Sequence, residues 1–254
     1  MDLLIITLEV AGSVAFAISG VMVARETRMD IFGAVILGFT TSCGGGLMRD
    51  LVLGRIPPAL FQDPTYALLS VAVSVGTFFY LYHKHPDNTN DPEAVAIFDN
   101  ALNVADSIGL AAFIVVGYQV AEFAGYSANG FLCVFCGVIT GIGGGILRDV
   151  LAGQIPFIMQ KHVYGMAAIA GGIVYFAYRR LSFPYIPSAL VSMGVTCLIR
   201  FLAIRYRWNL RYSSQGTPVR SKKTFHQGAF EFARPLLRAN LLSPDGRSFC
   251  GATL

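Results

Sequence analysis

Eight consecutive residues occur twice in this chain in closely similar form, as Gly44-Gly45-Gly46-Leu47-Met48-Arg49-Asp50-Leu51 and as Gly143-Gly144-Gly145-Ile146-Leu147-Arg148-Asp149-Val150. The match runs on in both directions. Gly38 answers to Gly137, Thr41 to Thr140, Gly54 to Gly153, Ile56-Pro57 to Ile155-Pro156 and, after a slip of one residue, Tyr66 to Tyr164. Further upstream, at a slightly different offset, Glu9, Gly12, Phe16 and Gly20 match Asp106, Gly109, Phe113 and Gly117. A fold built on such a sequence is two copies of one unit.

Composition says what the unit is made of. Of the 254 residues 54% are apolar and only 13% charged, about half the charged fraction of near 25% usual in soluble domains. Lipid is the expected solvent for most of the chain, and an ordinary cytosolic enzyme is not expected. A spanning helix needs about 20 mainly apolar residues. Seven stretches qualify, at 4–24, 31–53, 66–82, 101–123, 129–151, 163–178 and 184–204. The third, sixth and seventh are close to the minimum length, so a count of six or eight also fits.

Each copy of the repeat holds three of these spans. With an odd number per unit, consecutive copies enter the bilayer from opposite faces and are related by a pseudo-two-fold axis in the membrane plane. The expectation is an all-α membrane protein of about seven transmembrane helices. Residues 1–92 form the first three-helix repeat with its connecting loop, 93–183 the second, 184–205 the seventh helix and 206–254 a basic tail.

Three consecutive glycines in a helix cost on the order of 1 kcal/mol each relative to Ala, so two triplets at equivalent places need a reason. One is close packing, since Gly lets a neighbouring helix approach. The other, which we favour, is a break or kink in which Gly44, Gly45, Gly46, Gly143, Gly144 and Gly145 expose carbonyls to a water-filled path; irregular backbone is tolerated at membrane depth only when shielded from lipid.

The few embedded charges are the second candidate carrier of function. Arg49-Asp50 and Arg148-Asp149 follow the triplets by about one turn, and Glu9 and Asp106 lie at equivalent places inside apolar stretches. Intramembrane charges are expensive unless paired or hydrated. Adjacent helix residues point about 100° apart. The expected partners are therefore crossed, Arg49 with Asp149 and Arg148 with Asp50, or each arginine with Glu9 or Asp106. The alternative places these charges at the interface as helix-end caps. The face carrying Gly12, Phe16 and Gly20, like that of Gly109, Phe113 and Gly117, reads as a packing seam.

The remaining features are less specific. Cys43, Cys133, Cys136 and Cys197 lie in apolar runs and read as small hydrophobes, not as a disulfide framework or a metal set. His83, His85, His162 and His226 fall in expected loops or the tail, and no nucleophile–base constellation is present. The start lacks a basic region and contains Glu9, so the first span is expected to be retained instead of cleaved. The tail carries Arg205, Arg207, Arg211, Arg220, Lys222, Lys223, Arg234, Arg238 and Arg247. It is expected to be cytosolic and mostly disordered, with anionic lipid as a contact for its basic residues, and it sets the N-terminus outside.

The doubled Gly-Gly-Gly-x-x-Arg-Asp, the Gly-x-Ile-Pro after it and the acidic-x-x-Gly-x-x-x-Phe at Glu9 to Phe16 and Asp106 to Phe113 resemble the glycine-transporter-domain membrane proteins, the family that includes the prokaryotic trimeric intracellular cation (TRIC) channels. The resemblance covers about 5–205. It implies seven helices in inverted repeats, second and fifth spans kinked at the triglycines, and a homotrimer with one K⁺-selective pore per protomer. Arg49, Asp50, Arg148 and Asp149 would then form the polar network around the path. Glu9 stands where the family more often has Asp, and the tail is no part of the family core. A multi-pass protein of the plasma (inner) membrane is implied, with K⁺ as the transported ion, no cofactor and no nucleic-acid partner. The runner-up is a secondary transporter of a small zwitterion such as glycine, an Arg and a carboxylate holding its two ends; a third is an assembly protein whose glycines serve packing alone.

Overall fold

The structure, a computed structural model, describes residues 2–84, 92–160 and 162–206. The basic tail, His85 and His226 lie outside the described residues. Every regular element described is helical: α1 (Asp2–Glu26), α2 (Ile31–Val52), α3 (Ala59–Gln62), α4 (Thr65–Lys84), α5 (Pro92–Ala121), α6 (Gly130–Leu151), α7 (Phe157–Gln160), α8 (His162–Arg180) and α9 (Tyr185–Arg205). A π-helical turn at Glu122–Tyr126 continues α5, with Gly125 at φ 96° turning the chain out of it. Among the described residues α1, α2, α4, α5, α6 and α9 are long and apolar enough to cross a membrane. The helix over the sixth apolar stretch, α8, is not among them.

Helix ends follow local chemistry. The Asp30 side chain accepts the N–H of Gly33 at the start of α2, and Asn129 accepts that of Leu132 at the start of α6, each satisfying a donor the helix leaves free. The other ends of these helices explain the Gly-x-Ile-Pro motif. Gly54 and Gly153 both sit at φ 67°, a left-handed conformation that glycine takes at little cost. Gly54 N–H donates to Leu51 O and Arg55 N–H to Asp50 O; Gly153 N–H donates to Val150 O and Gln154 N–H to Asp149 O. These pairs close a Schellman cap. The chain then turns back into the short helices α3 and α7, which periodicity alone does not announce.

The packing demonstrates the inversion directly. Gly12 faces the Phe113 ring, Gly109 faces the Phe16 ring, and Ser19 reaches Asp106, so α1 and α5 run antiparallel. Likewise a Cβ on Gly45 would fall on the carbonyl oxygen of Thr140, and one on Gly144 on that of Thr41. The core is therefore α1, α2, α5 and α6, with α4 flanking one unit and α8 the other. The central stretch of α5 is 72% buried against 11% for α4, which fixes centre and periphery. The unrepeated α9 packs chiefly on α8 and α5, so it breaks the symmetry on one flank.

Candidate functional site

Both triglycine segments lie inside uninterrupted α-helix. Two glycines of each triplet serve the crossing of α2 and α6. Gly45 and Gly144 admit the opposite helix's carbonyl, while a Cβ on Gly44 would come within 2.6 Å of Leu147 and one on Gly143 within 2.9 Å of the Met48 sulfur. The third glycine is different. Beside Gly46 only the Arg49 guanidinium comes within 4 Å, at 3.8 Å; Gly145 has the Arg148 guanidinium and the Tyr164 hydroxyl, both at 3.7 Å. Bare backbone thus lies next to each arginine head.

The charges form two clusters, one on either side of this crossing. Glu9 and Ser19, which mark the two levels, are ten residues apart on α1, about 15 Å at 1.5 Å per residue. Between them the Phe16 and Phe113 rings meet edge to face at 5.2 Å.

In the first cluster Arg49 Nε donates to Asp50 Oδ1 at 3.0 Å, with Nη2 at 2.9 Å from the same oxygen. Asp50 Oδ2 accepts the Ala59 N–H at 2.8 Å, and Arg55 approaches Oδ1 at 3.8 Å from a more exposed position. Glu9 has Tyr66 beside it. An open cleft of about 500 Å³ adjoins Arg55, walled by Leu53, Val120, Phe123, Ala124 and Tyr126.

The second cluster repeats this core and adds to it. Arg148 Nε donates to Asp149 Oδ1 at 2.8 Å, and Asp149 Oδ2 accepts the Phe157 N–H at 2.7 Å. Arg148 Nη1 also donates to Asp106 Oδ1 at 2.8 Å and to the Ser19 hydroxyl. From α9, Arg200 approaches the other Asp106 oxygen at 3.8 Å and donates through Nε to Ser107 Oγ at 3.0 Å. Its guanidinium lies over the Tyr164 ring, 4.5 Å from the centroid. Arg49, Asp50, Asp106, Arg148, Asp149 and Arg200 are each 5% exposed or less. Beyond the clusters, Asp63 in the loop before α4 is held below the usual carboxylate range by the Thr65 hydroxyl and N–H.

The expected pairing is half right and half corrected. Asp106 does meet Arg148, but Arg49 pairs with its own neighbour Asp50, not with Asp149, and Arg148 pairs with Asp149, not with Asp50. The 100° argument considers where side chains leave the helix and neglects their reach. A long arginine stem folds back to the adjacent carboxylate, and at low dielectric the nearest opposite charge dominates. These charges are also not merely exposed caps: the aspartates anchor α3 and α7 from buried positions. Sequence reasoning missed Arg200, Ser19 and the role of Tyr164. Arg200 carried a usable signal, an arginine flanked by Leu198, Ile199, Phe201 and Leu202 in an apolar helix, which the cost of intramembrane charge marks as paired.

Comparisons with known proteins agree with this architecture. The glycine transporter family model matches residues 6–82 and 103–180, one match in each half. The inner membrane protein YadS of Escherichia coli K12, of the UPF0126 group, is 39% identical over 210 residues, 82% of this chain and 95% of that protein. A UPF0126 membrane protein of Vibrio cholerae is 36% identical over 209 residues, 82% of each chain. Among solved structures, a prokaryotic TRIC channel in 0.5 M KCl superposes with a TM-score of 0.72 at 32% identity, covering 83% of this chain and all of that one. The TRIC trimeric intracellular cation channel orthologue from Rhodobacter sphaeroides gives 0.71 at 32% identity, covering 80% and 98%. With the family model spanning more than half of its length, this chain belongs to the glycine-transporter-domain family of multi-pass membrane proteins, to which the TRIC channels are related.

Proposed function

We propose that the chain is a passive, monovalent cation channel, selective for K⁺, with one pore in each protomer of a homotrimer. The pore in this reading follows the α2/α6 crossing, past Gly46 and Gly145 and between the two charge clusters. The observation that carries the proposal is the likeness, at about a third identity over more than four-fifths of the chain, to solved TRIC cation channels. Physical chemistry supports it. Of the four carboxylates Glu9, Asp50, Asp106 and Asp149, the three aspartates are engaged by arginines. In this reading Glu9, which no arginine or lysine pairs with among the described residues, carries most of the negative potential that offsets dehydration of a cation. Arg49 and Arg148, which unpaired would repel it, are each neutralised by a carboxylate at 2.9 Å or less. In this reading the triglycines act as much by close packing as by bending, and the protein lies in the plasma membrane with its N-terminus outside and its basic tail cytosolic.

The experiment is flux into liposomes carrying the purified protein, with gradient-driven K⁺ uptake and labelled glycine uptake measured side by side. K⁺ flux without saturable glycine uptake is expected, and Gly46→Leu and Gly145→Leu, which fill the bare surface beside each arginine, should abolish it. Saturable glycine exchange without conductance would sink the channel and favour the zwitterion transporter that the family's description names. Undiminished flux in both leucine variants would move the path elsewhere.

A further inference from the structure

The two halves are near copies, and so their differences are informative. Glu9 and Asp106 occupy equivalent places, yet among the described residues no arginine or lysine pairs with Glu9. Asp106 instead lies between two, Arg148 on Oδ1 at 2.8 Å and Arg200 on the Oδ2 side at 3.8 Å. The second arginine comes from α9, which among the described residues is the one long helix with no counterpart in the other unit. It is held by Ser107 Oγ at 3.0 Å and by the carbonyl of Asn103 at 3.5 Å, on the same turn of α5 as Asp106. The face of Tyr164 lies under it, with Phe157 at 5.6 Å. The buried Tyr164 hydroxyl lies beside Asp106, as Tyr66 lies beside Glu9.

A helix that served only to cover α5 and α8 from lipid would need no charge here, and an apolar residue would avoid its desolvation. The contact with Asp106 is also longer than a direct hydrogen bond. Arg200 is clamped by Ser107 and Asn103 and acts on Asp106 chiefly through its field.

We propose that Arg200 is a built-in countercation supplied by α9. It offsets the charge of Asp106 from a buried position, whereas the second arginine of the other cluster, Arg55, lies 3.8 Å from Asp50 with its side chain 39% exposed and is screened by water. The Asp106 end of the pathway is thereby the more resistive to cations and the Glu9 end the more attractive. The proposal rests on the channel reading above, and it gives the unrepeated helix a role of its own, setting conductance and making the current–voltage relation asymmetric. Arg200 is a specificity-determining residue in this account and needs no contact with the ion.

The test is single-channel recording in planar bilayers of the intact protein, wild type against Arg200→Gln, Arg200→Lys and Ser107→Ala, at low and high KCl. A unit charge about 4 Å from an ion in water is worth about 1 kcal/mol, or about fivefold, so removing the Arg200 charge should raise K⁺ conductance by up to about fivefold at low salt and make currents of opposite polarity more nearly equal. The gain should shrink toward 1 M KCl, where the Debye length falls to about 3 Å; a purely structural role would not produce that salt dependence. Arg200→Lys should stay near wild type. Should the Gln variant fail to fold, Ser107→Ala, which keeps every charge but releases the clamp, should shift conductance in the same direction by a smaller factor. Conducting wild type with unchanged conductance in Arg200→Gln, or in Ser107→Ala if only that folds, overturns the proposal alone. Equal changes in the Lys and Gln variants likewise overturn it. A wild type that passes no K⁺ current overturns the channel reading and this proposal with it.

Discussion

At the scale of single residues, the two units place equivalent carboxylates in different electrostatic company. Asp106 is 4% exposed and neutralises Arg148, so Asp106→Asn leaves a buried arginine partly uncompensated. Loss of one partner from a buried pair costs about 3–5 kcal/mol. Glu9→Gln, at a half-buried position with no basic partner among the described residues, should cost under about 1 kcal/mol. Thermal melts in detergent should therefore rank Asp106→Asn well below Glu9→Gln; equal losses would contradict the asymmetry. Much of this was legible in the sequence. Intramembrane charge marked all six of Glu9, Arg49, Asp50, Asp106, Arg148 and Asp149, and offered Asp106 as one of several alternative partners for the arginines. Which neighbour each arginine chooses was not legible, because it depends on the bend of a flexible stem. Arg200 was legible in principle, as a charge in an apolar helix, but it lies outside the repeat and has no counterpart to mark it.

At the scale of elements, the triglycine helices separate two uses of glycine. Where a carbonyl of the crossing helix occupies the Cβ position, alanine forces helices apart, and overpacking of this kind costs about 1–3 kcal/mol. Gly45→Ala and Gly144→Ala should each show that loss. Gly46→Ala meets nothing closer than the Arg49 guanidinium at 3.8 Å and should be neutral or more stable by up to about 1 kcal/mol through helix propensity. Melting temperatures of the three variants check this, and a destabilised Gly46→Ala would contradict it. The sequence marked the triplets as special and could not say which glycine does what, since that depends on the register of a helix far away in the chain. The Gly-x-Ile-Pro motifs were visible as family marks; their physical content, a Schellman cap followed by a carboxylate-anchored return, appears only with the backbone angles.

At the scale of the whole molecule, the opposite orientation of α1 to α5 and of α2 to α6 follows from the odd number of spans per unit. That much could be read from the repeat alone; that these helices pack on each other is seen only in the structure. The place of α9 could not be read from the repeat either, since an unrepeated helix has no partner in sequence to say which flank it covers. Here it lies against α5 and α8 and carries its arginine to one cluster only. The central claim is that a protein with so few embedded charges, nearly all of them paired, passes cations down a gradient. The most direct measurement is the reversal potential of single channels across a tenfold KCl gradient in a planar bilayer. A K⁺-selective pore predicts discrete current steps reversing near the K⁺ equilibrium potential, about 59 mV per tenfold for a monovalent ion. Reversal at the Cl⁻ equilibrium potential, or the absence of steps from a folded, reconstituted protein, would contradict the account.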